Sequence, residues 1–302
     1  MTQPPIAWVL NLDAEEEYAR GRGYTPKQRI HKIARQQARA LTGTLIQPGD
    51  LIIDARNKSE NKGIAKGLRG LAWSPTPWAQ THLHDANAKV PQPPAFQILQ
   101  DVNNKLFSQA VETSAPRLKK HVERSVDGIL HTLGNSPEKA WFLRRPFGVA
   151  GRGRVLMQGE PQSNKELRWL MASIETAPMV MEQNVHVLLE VSTCGWIGAK
   201  GEVQWAEPCF QEVDKNGSWV KTLPCPEGKL TDLEREHLQT AAQDSANALI
   251  EAGYWGPFSV DAFEYESGDG EETWNTLGEI NARFTMGWAT AFGDRTRSIL
   301  QA

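Results

Sequence analysis

Strand-forming apolar residues run from Ile6 to Leu12, and a second short apolar run, Leu51 to Ile53, lies between Asp50 and Asp54. Between them Thr25 and Pro26 supply an N-cap and a first helical position for a pattern that continues to Leu41 and stops before Gly43. Strand, helix and strand in that order predict an α/β unit with a parallel strand pair over residues 1–100. Prolines 75, 77, 91, 93 and 94 make the end of that unit read as loop and then linker.

Residues 101–302 carry a longer alternation of elements. Helical spacing covers 103–112 and 121–133, the second stopped by Gly134. A strand over 139–146 runs into the glycine-rich turn F-G-V-A-G-R-G-R at 147–154, and Val155 resumes the strand. Leu167, Leu170, Met171 and Ile174 give the next segment a helical stripe, followed by strands over 179–181, 185–192 and 201–205. Thr231 and Glu234 form a capping box for a long helix through Ile250, closed by Gly253. Two last strands, 256–265 and 274–283, flank a turn through S-G-D-G.

In the last strand, Glu279, Asn281 and Arg283 are separated by Ile280 and Ala282, so period two points all three to one face. Asp261 precedes Gly270 by as many residues as Glu279 follows it, which sets the two carboxylates opposite each other, with Asn281 as diagonal neighbour. Like charges at about 4 Å repel by roughly 4 kcal/mol at an effective dielectric near 20, so a partly buried pair calls for a cation. An oxygen-only set suits a hard ion, and Mg²⁺ typically uses one or two carboxylates plus water and phosphate. A solvated hairpin face is the alternative. The glycine-rich turn beside Arg144 and Arg145 could close over an anion, though flexible surface loops look similar.

Charge narrows the partners. With 33 Lys+Arg against 36 Asp+Glu, a net charge of -3 and a pI near 6.2, the chain has no excess of positive charge for nucleic acid or anionic lipid. Cys194, Cys209 and Cys225 are odd in number and lack Cys-x-x-Cys spacing, so reduced cytoplasmic thiols are expected. No leader pattern follows Met1 and no run reaches membrane-span length, so a soluble, cytoplasmic protein is expected.

The order of these segments resembles the ATP-grasp superfamily over residues 98 to 292: N-N-K-L-F-S-Q-A-V, L-R-R-P-F-G-V-A-G-R-G-R, M-V-M-E-Q-N-V-H-V-L-L-E, G-P-F-S-V-D-A-F and G-E-I-N-A-R-F. The resemblance implies an α+β fold of two lobes, about 101–180 and 181–302, preceded by a small α/β domain over 1–100. It implies ATP and Mg²⁺ as cofactors, with Mn²⁺ as a substitute. Lys105, Arg144, Arg145, Gly148, Gly151 and Gly153 would hold the phosphates, Glu182, Gln183 and Val185 the adenine, and Glu190 the ribose. Asp261, Glu279 and Asn281 would ligate the metal, and Arg283 with Arg145 would serve catalysis. Arg145 stands where relatives present Lys before Pro, and Ser259 stands where many place an Arg two positions before the first metal Asp.

Such a protein would join a carboxylate and an amine through an acylphosphate, on small amino-acid or peptide-like substrates, with a homodimer suggested by analogy alone. A phosphotransferase on the same scaffold and a non-catalytic ATP-binding protein stay open. His82, His84 and Asp85 read as a surface loop, Trp73 and Trp78 as either domain packing or a pocket wall, and Cys194 has no evident base.

Overall fold

Trp8 and Ala7 sit at the centre of a three-stranded parallel sheet, where β1 (Ile6–Val9) is flanked by β2 (Leu51–Ile52) and β3 (Arg69–Ala72). The computed structural model describes residues 3–26, 36–54, 58–136, 138–148, 153–214 and 219–301. Four-stranded and six-stranded antiparallel sheets complete the described strands.

The parallel pair β1 and β2 forms as the pattern implies, although β1 ends at Val9 rather than Leu12. Strand β3 was not expected, because Arg69 and Gly70 interrupt its apolar run. The predicted helix after Pro26 falls mostly on residues 27–35, outside the described residues; 36–40 are helical. His82, His84 and Asp85 lie in a helix, Pro77–Asp85, and not in a loop. Thr76 caps that helix and Pro77 takes its first position, where a missing N–H costs nothing.

The four-stranded sheet runs β4 (Lys120–Glu123), β7 (Met179–Gln183), β5 (Ala140–Arg144), β6 (Arg154–Gln158). Here the expected helix over 121–133 divides. His121 belongs to β4, and the helix Val126–Gly134 starts after Ser125, whose side chain accepts from the Gly128 amide at 3.0 Å. The expected helix over 103–112 is shorter, Lys105–Ala110, starting where Asn104 caps Leu106 at 2.9 Å, and a further helix, Phe96–Val102, precedes it where none was expected. Trp141, Leu143, Met179 and Met181 fill the space beneath Ile129, Leu133 and Leu170 of the covering helices. Alternation along β5 therefore turns Phe142 and Arg144 to the opposite face.

The six-stranded sheet is ordered β11 (Trp219–Pro224), β10 (Cys209–Val213), β8 (His186–Ile197), β12 (Gly256–Glu266), β13 (Glu272–Asn281), with β9 (Val203–Trp205) also on β8. Strands β10 and β11 were missed by the sequence patterning. The helix Asp232–Glu251 has the expected capping box and covers Val260, Leu277 and Ile280. Phe284, Trp288 and Phe292, beyond β13, pack with Ile6 and Trp8 of the first sheet, so both ends of the chain share one core.

Candidate active site

Strands β12 and β13 pair with Asp261 directly opposite Glu279 and with Ser259 opposite Asn281. The Asn281 amide reaches diagonally to donate to Asp261 Oδ2 at 2.8 Å, while Ser192 and Gln211 donate to Oδ1 at 3.1 and 3.3 Å. Burial and the facing Glu279 carboxylate push the Asp261 pKa up to about 6. Burial alone would raise Glu279 too, but the Lys105 ammonium holds it below the usual carboxylate range.

Lys105 arrives from far away in sequence by backbone mimicry. Asn103 accepts from the Ala282 amide at 3.0 Å and donates to its carbonyl at 3.2 Å, extending β13 by one side chain. Ser108 then accepts from the Ile280 amide at 2.9 Å, which seats the helix Lys105–Ala110 along the strand. Lys105 Nζ forms an ion pair with Glu279 Oε1 and lies 3.5 Å from the Gly148 carbonyl. The Lys105 amide donates to Pro146 O at 3.0 Å, tying the glycine-rich turn to the same place.

A cleft of about 770 Å³ between the two antiparallel sheets is lined by Arg144, Arg154, Glu182, Gln183, Val185, Glu190, Asp261 and Glu279. Its size lies in the range of about 300–1,000 Å³ usual for small-molecule sites. Phe142, Leu156 and Phe263 give it apolar surface, and Arg144 and Arg154 stack over the Phe142 ring at 5.4 and 4.6 Å. Burial raises the Glu190 pKa, with Asp261 adding to the effect.

Glu182 is held from two sides, by Arg144 Nη2 at 2.8 Å and Lys120 Nζ at 2.5 Å. Burial would raise its pKa, yet the two cations hold it at about 2. Lys120 also donates to the Gly278 carbonyl at 2.7 Å, linking β4 to β13 across the cleft. Its own pKa is lowered, chiefly by burial. Lys120 was missed by sequence reasoning, which reads 121–133 as one helix and so gives residue 120 no strand face.

Four of the expected residues, Arg145, Gly148, Gly153 and Arg283, do not line this cleft. Arg145 follows β5 on the far side, where its Nε donates to Ser173 Oγ at 2.9 Å and its guanidinium lies 4.9 Å above the Trp169 ring. Gly148 and Gly153 line that same far side, Gly153 at a φ of +77° with the Phe147 carbonyl 3.0 Å from where a Cβ would sit. Arg283 is 9% exposed and is bound to Glu15 of the helix Ala14–Arg20 by Nε at 2.7 Å and by Nη2. Gly151 lies outside the described residues. Trp73 is core, and Trp78 packs edge-on to the buried His82 at 4.4 Å between ring centres.

The oxygen set of Asp261, Glu279 and Asn281 fits a magnesium ion. Burial and the facing Glu279 carboxylate raise the Asp261 pKa, and Glu279 relies chiefly on Lys105 for its neutralisation, so the pair has charge left for a cation to offset. Among the described residues no group of three or more His, Cys, Asp or Glu is placed to hold a metal ion. No helix among the described residues is long and apolar enough to cross a membrane.

No protein-family model matches the sequence, and neither does any curated protein. Solved structures do match. A biotin carboxylase from Campylobacter jejuni, in complex with β-γ-ATP, superposes with a TM-score of 0.62 at 13% identity, over 98% of this chain and 70% of that one. An N5-carboxyaminoimidazole synthetase from Staphylococcus aureus, complexed with ADP, gives 0.51 at 15% identity, over 94% and 72%. A D-alanyl-alanine synthetase A from Vibrio cholerae gives 0.50 at 12% identity, over 93% and 90%. At these identities the likeness establishes architecture, and with the two antiparallel sheets facing each other across the cleft it shows that the chain has the ATP-grasp fold.

Proposed function

We propose that the protein is an ATP- and Mg²⁺-dependent ligase that joins a carboxylate to an amine through an acylphosphate. The observation that carries this reading is the facing pair Asp261 and Glu279, with Lys105 on one side and Arg144 in the cleft between the sheets. Similarity to ATP-dependent ligases of the same fold supports it.

Phosphoryl transfer needs positioning and charge neutralisation more than a protein nucleophile, and the cleft supplies cations rather than an activated Ser or Cys. Of the two arginines expected on the phosphates, Arg144 keeps that role and Arg145 does not, because alternation along β5 turns Arg144 to the cleft. Glu182, Gln183 and Val185 line the end of the cleft suited to the adenine, and Glu190 the ribose. Since the Glu182 carboxylate is committed to Lys120 and Arg144, hydrogen bonds to the base fall to the backbone of this segment. Asp261, Glu279 and Asn281 would hold Mg²⁺, which when bound offsets phosphate charge. Lys105 then exchanges Glu279 for a phosphate oxygen. Arg283, freed from Glu15 or reoriented beside it, steadies the acylphosphate. The glycine-rich turn shields that intermediate from water. Residues 1–100 would form the preceding domain and 101–302 the grasp lobes. Cytoplasmic residence with small-molecule substrates fits this chemistry.

The test is ADP release from Mg-ATP against carboxylates and amines supplied singly and in pairs, with Glu279→Gln as control. Turnover that requires both substrates and vanishes in the control supports ligation. Turnover with a single hydroxyl or carboxyl acceptor and a stable phosphorylated product would make the protein a phosphotransferase. Nucleotide binding with no turnover by any mixture favours a non-catalytic ATP-binding protein.

A further inference from the structure

A second cavity, of about 390 Å³, opens on the far side of the glycine-rich turn from the nucleotide cleft. Its walls carry opposite charges: Glu15 on the first helix and Arg145 after β5. Each keeps hydrogen-bonding capacity that its neighbours leave unspent.

Glu15 is only 6% exposed. Its Oε1 accepts from Arg283, whereas its Oε2 is buried and accepts no hydrogen bond. A buried carboxylate oxygen without a donor is costly, and a native structure leaves few such groups unexplained. Because Glu15 also lines the cavity, the missing donor has room to arrive from there. Across the cavity, Arg145 spends Nε on Ser173 Oγ at 2.9 Å and rests its flat face 4.9 Å above Trp169. That fixes the fork while its Nη groups make no hydrogen bond among the described residues, a geometry suited to bidentate capture of a carboxylate. The other ion pair in the wall, Glu16 with Arg20 at 3.0 Å, is closed on itself at the exposed rim.

An acceptor for an ammonium and a fork for a carboxylate, on one cavity, match a zwitterion. We infer that this cavity binds the amine co-substrate of the ligase, a free α-amino acid, with its ammonium on Glu15 Oε2 and its carboxylate on Arg145. As a substrate site this rests on the ligase reading; as a binding site it does not. Glu15 is also the partner of Arg283, whose charge acts on Glu279, so the amino group is held at the end of the cavity nearer the metal strands. A site with a buried carboxylate at one wall and a half-buried guanidinium at the other disfavours ligands lacking either charge, since each leaves a partner unpaired.

Calorimetric titration of the full chain, with Mg²⁺ and a non-hydrolysable ATP analogue, against the standard amino acids tests this. The best binder is then compared with its N-acetyl and carboxamide derivatives. The expected result is that each derivative binds at least about tenfold more weakly than the parent. In Arg145→Gln the amino acid should fall to the level of its carboxamide, while the analogue binds within about twofold of wild type. Glu15→Gln should lose the preference for the free amine; if it fails to fold for want of an Arg283 partner, Arg145→Gln alone decides. No amino acid binding at about 10 mM, or equal binding of acid and carboxamide to wild type, overturns the proposal. Amino acid binding without nucleotide binding would keep the cavity and remove the ligase reading.

Discussion

Lys105 and Glu279 form an ion pair across 174 residues of sequence, and Glu279 faces Asp261 on the neighbouring strand. A charged hydrogen bond of this kind contributes about 1.5–3 kcal/mol. Lys105→Met should therefore weaken Mg-ATP by about 10- to 100-fold while tightening Mg²⁺ alone, because Glu279 is no longer neutralised. Calorimetry of each ligand separately checks both directions. A variant that binds Mg-ATP normally would remove Lys105 from the phosphates.

Arg144 and Arg145 are adjacent in sequence and on opposite sides of β5. Arg144→Met should abolish measurable nucleotide binding and also destabilise Glu182, whereas Arg145→Met should leave nucleotide affinity within about twofold. Equal losses in both would contradict the assignment.

Lys120 and Glu182 are a buried pair, with side chains 4% and 7% exposed. Removing one partner of such a pair costs about 3–5 kcal/mol because the other charge is left without compensation. Arg144 still holds Glu182 at 2.8 Å, so Lys120→Met should cost about 2–3 kcal/mol by denaturant unfolding. Lys120→Met with Glu182→Gln should recover part of that loss.

Asp261 contributes in the opposite sense. With its folded pKa raised from the usual 3.8 to about 6, the folded state holds the proton more tightly, so its contribution is full below the lower value and is lost as pH rises through about 6. Asp261→Asn should raise the stability of the ligand-free protein at pH 7 by about 1–2 kcal/mol and flatten that part of the pH profile. Thermal melts from pH 4 to 8, in both proteins, read this directly. An unchanged or lower melting temperature for the variant at pH 7 would contradict it.

Gly195 sits in β8 under the Phe258 ring, where a Cβ would approach ring carbons at 2.4 and 2.5 Å. Phe258 is fully buried and has no free side to move into. Gly195→Ala should cost about 1–3 kcal/mol through overpacking. An increase in melting temperature would show that the ring can repack.

The facing of Asp261 and Glu279, with Asn281 as diagonal neighbour, was legible, but the turn end pairs Glu266 with Glu272, so the two carboxylates meet only through a register shift between Asp261 and Phe263 that no turn residue announces. The capping box at Thr231 marks a helix start for a more direct reason, a local bond pattern written in local residues. Where the reading failed, the deciding contact was distant or single. His121 to Glu123 are strand because they pair with Met179 to Met181, which no spacing within 121–133 reveals. Arg144 and Arg145 could be placed at the end of a strand, but which one faces the cleft depends on Trp141 and Leu143 entering the lobe core. Arg283 shares the expected strand face, yet its partner Glu15 comes from the other end of the chain. Lys120 is legible only once the opposing Glu182 is in place.

The central claim, that the cleft is a magnesium–nucleotide site, is tested most directly by titrating ATP into wild type and Glu279→Gln with and without Mg²⁺. The expected result is binding to wild type that strengthens with Mg²⁺ and a Mg²⁺ effect reduced by at least about tenfold in the variant. No binding to wild type, or the same Mg²⁺ dependence in both proteins, would contradict the account.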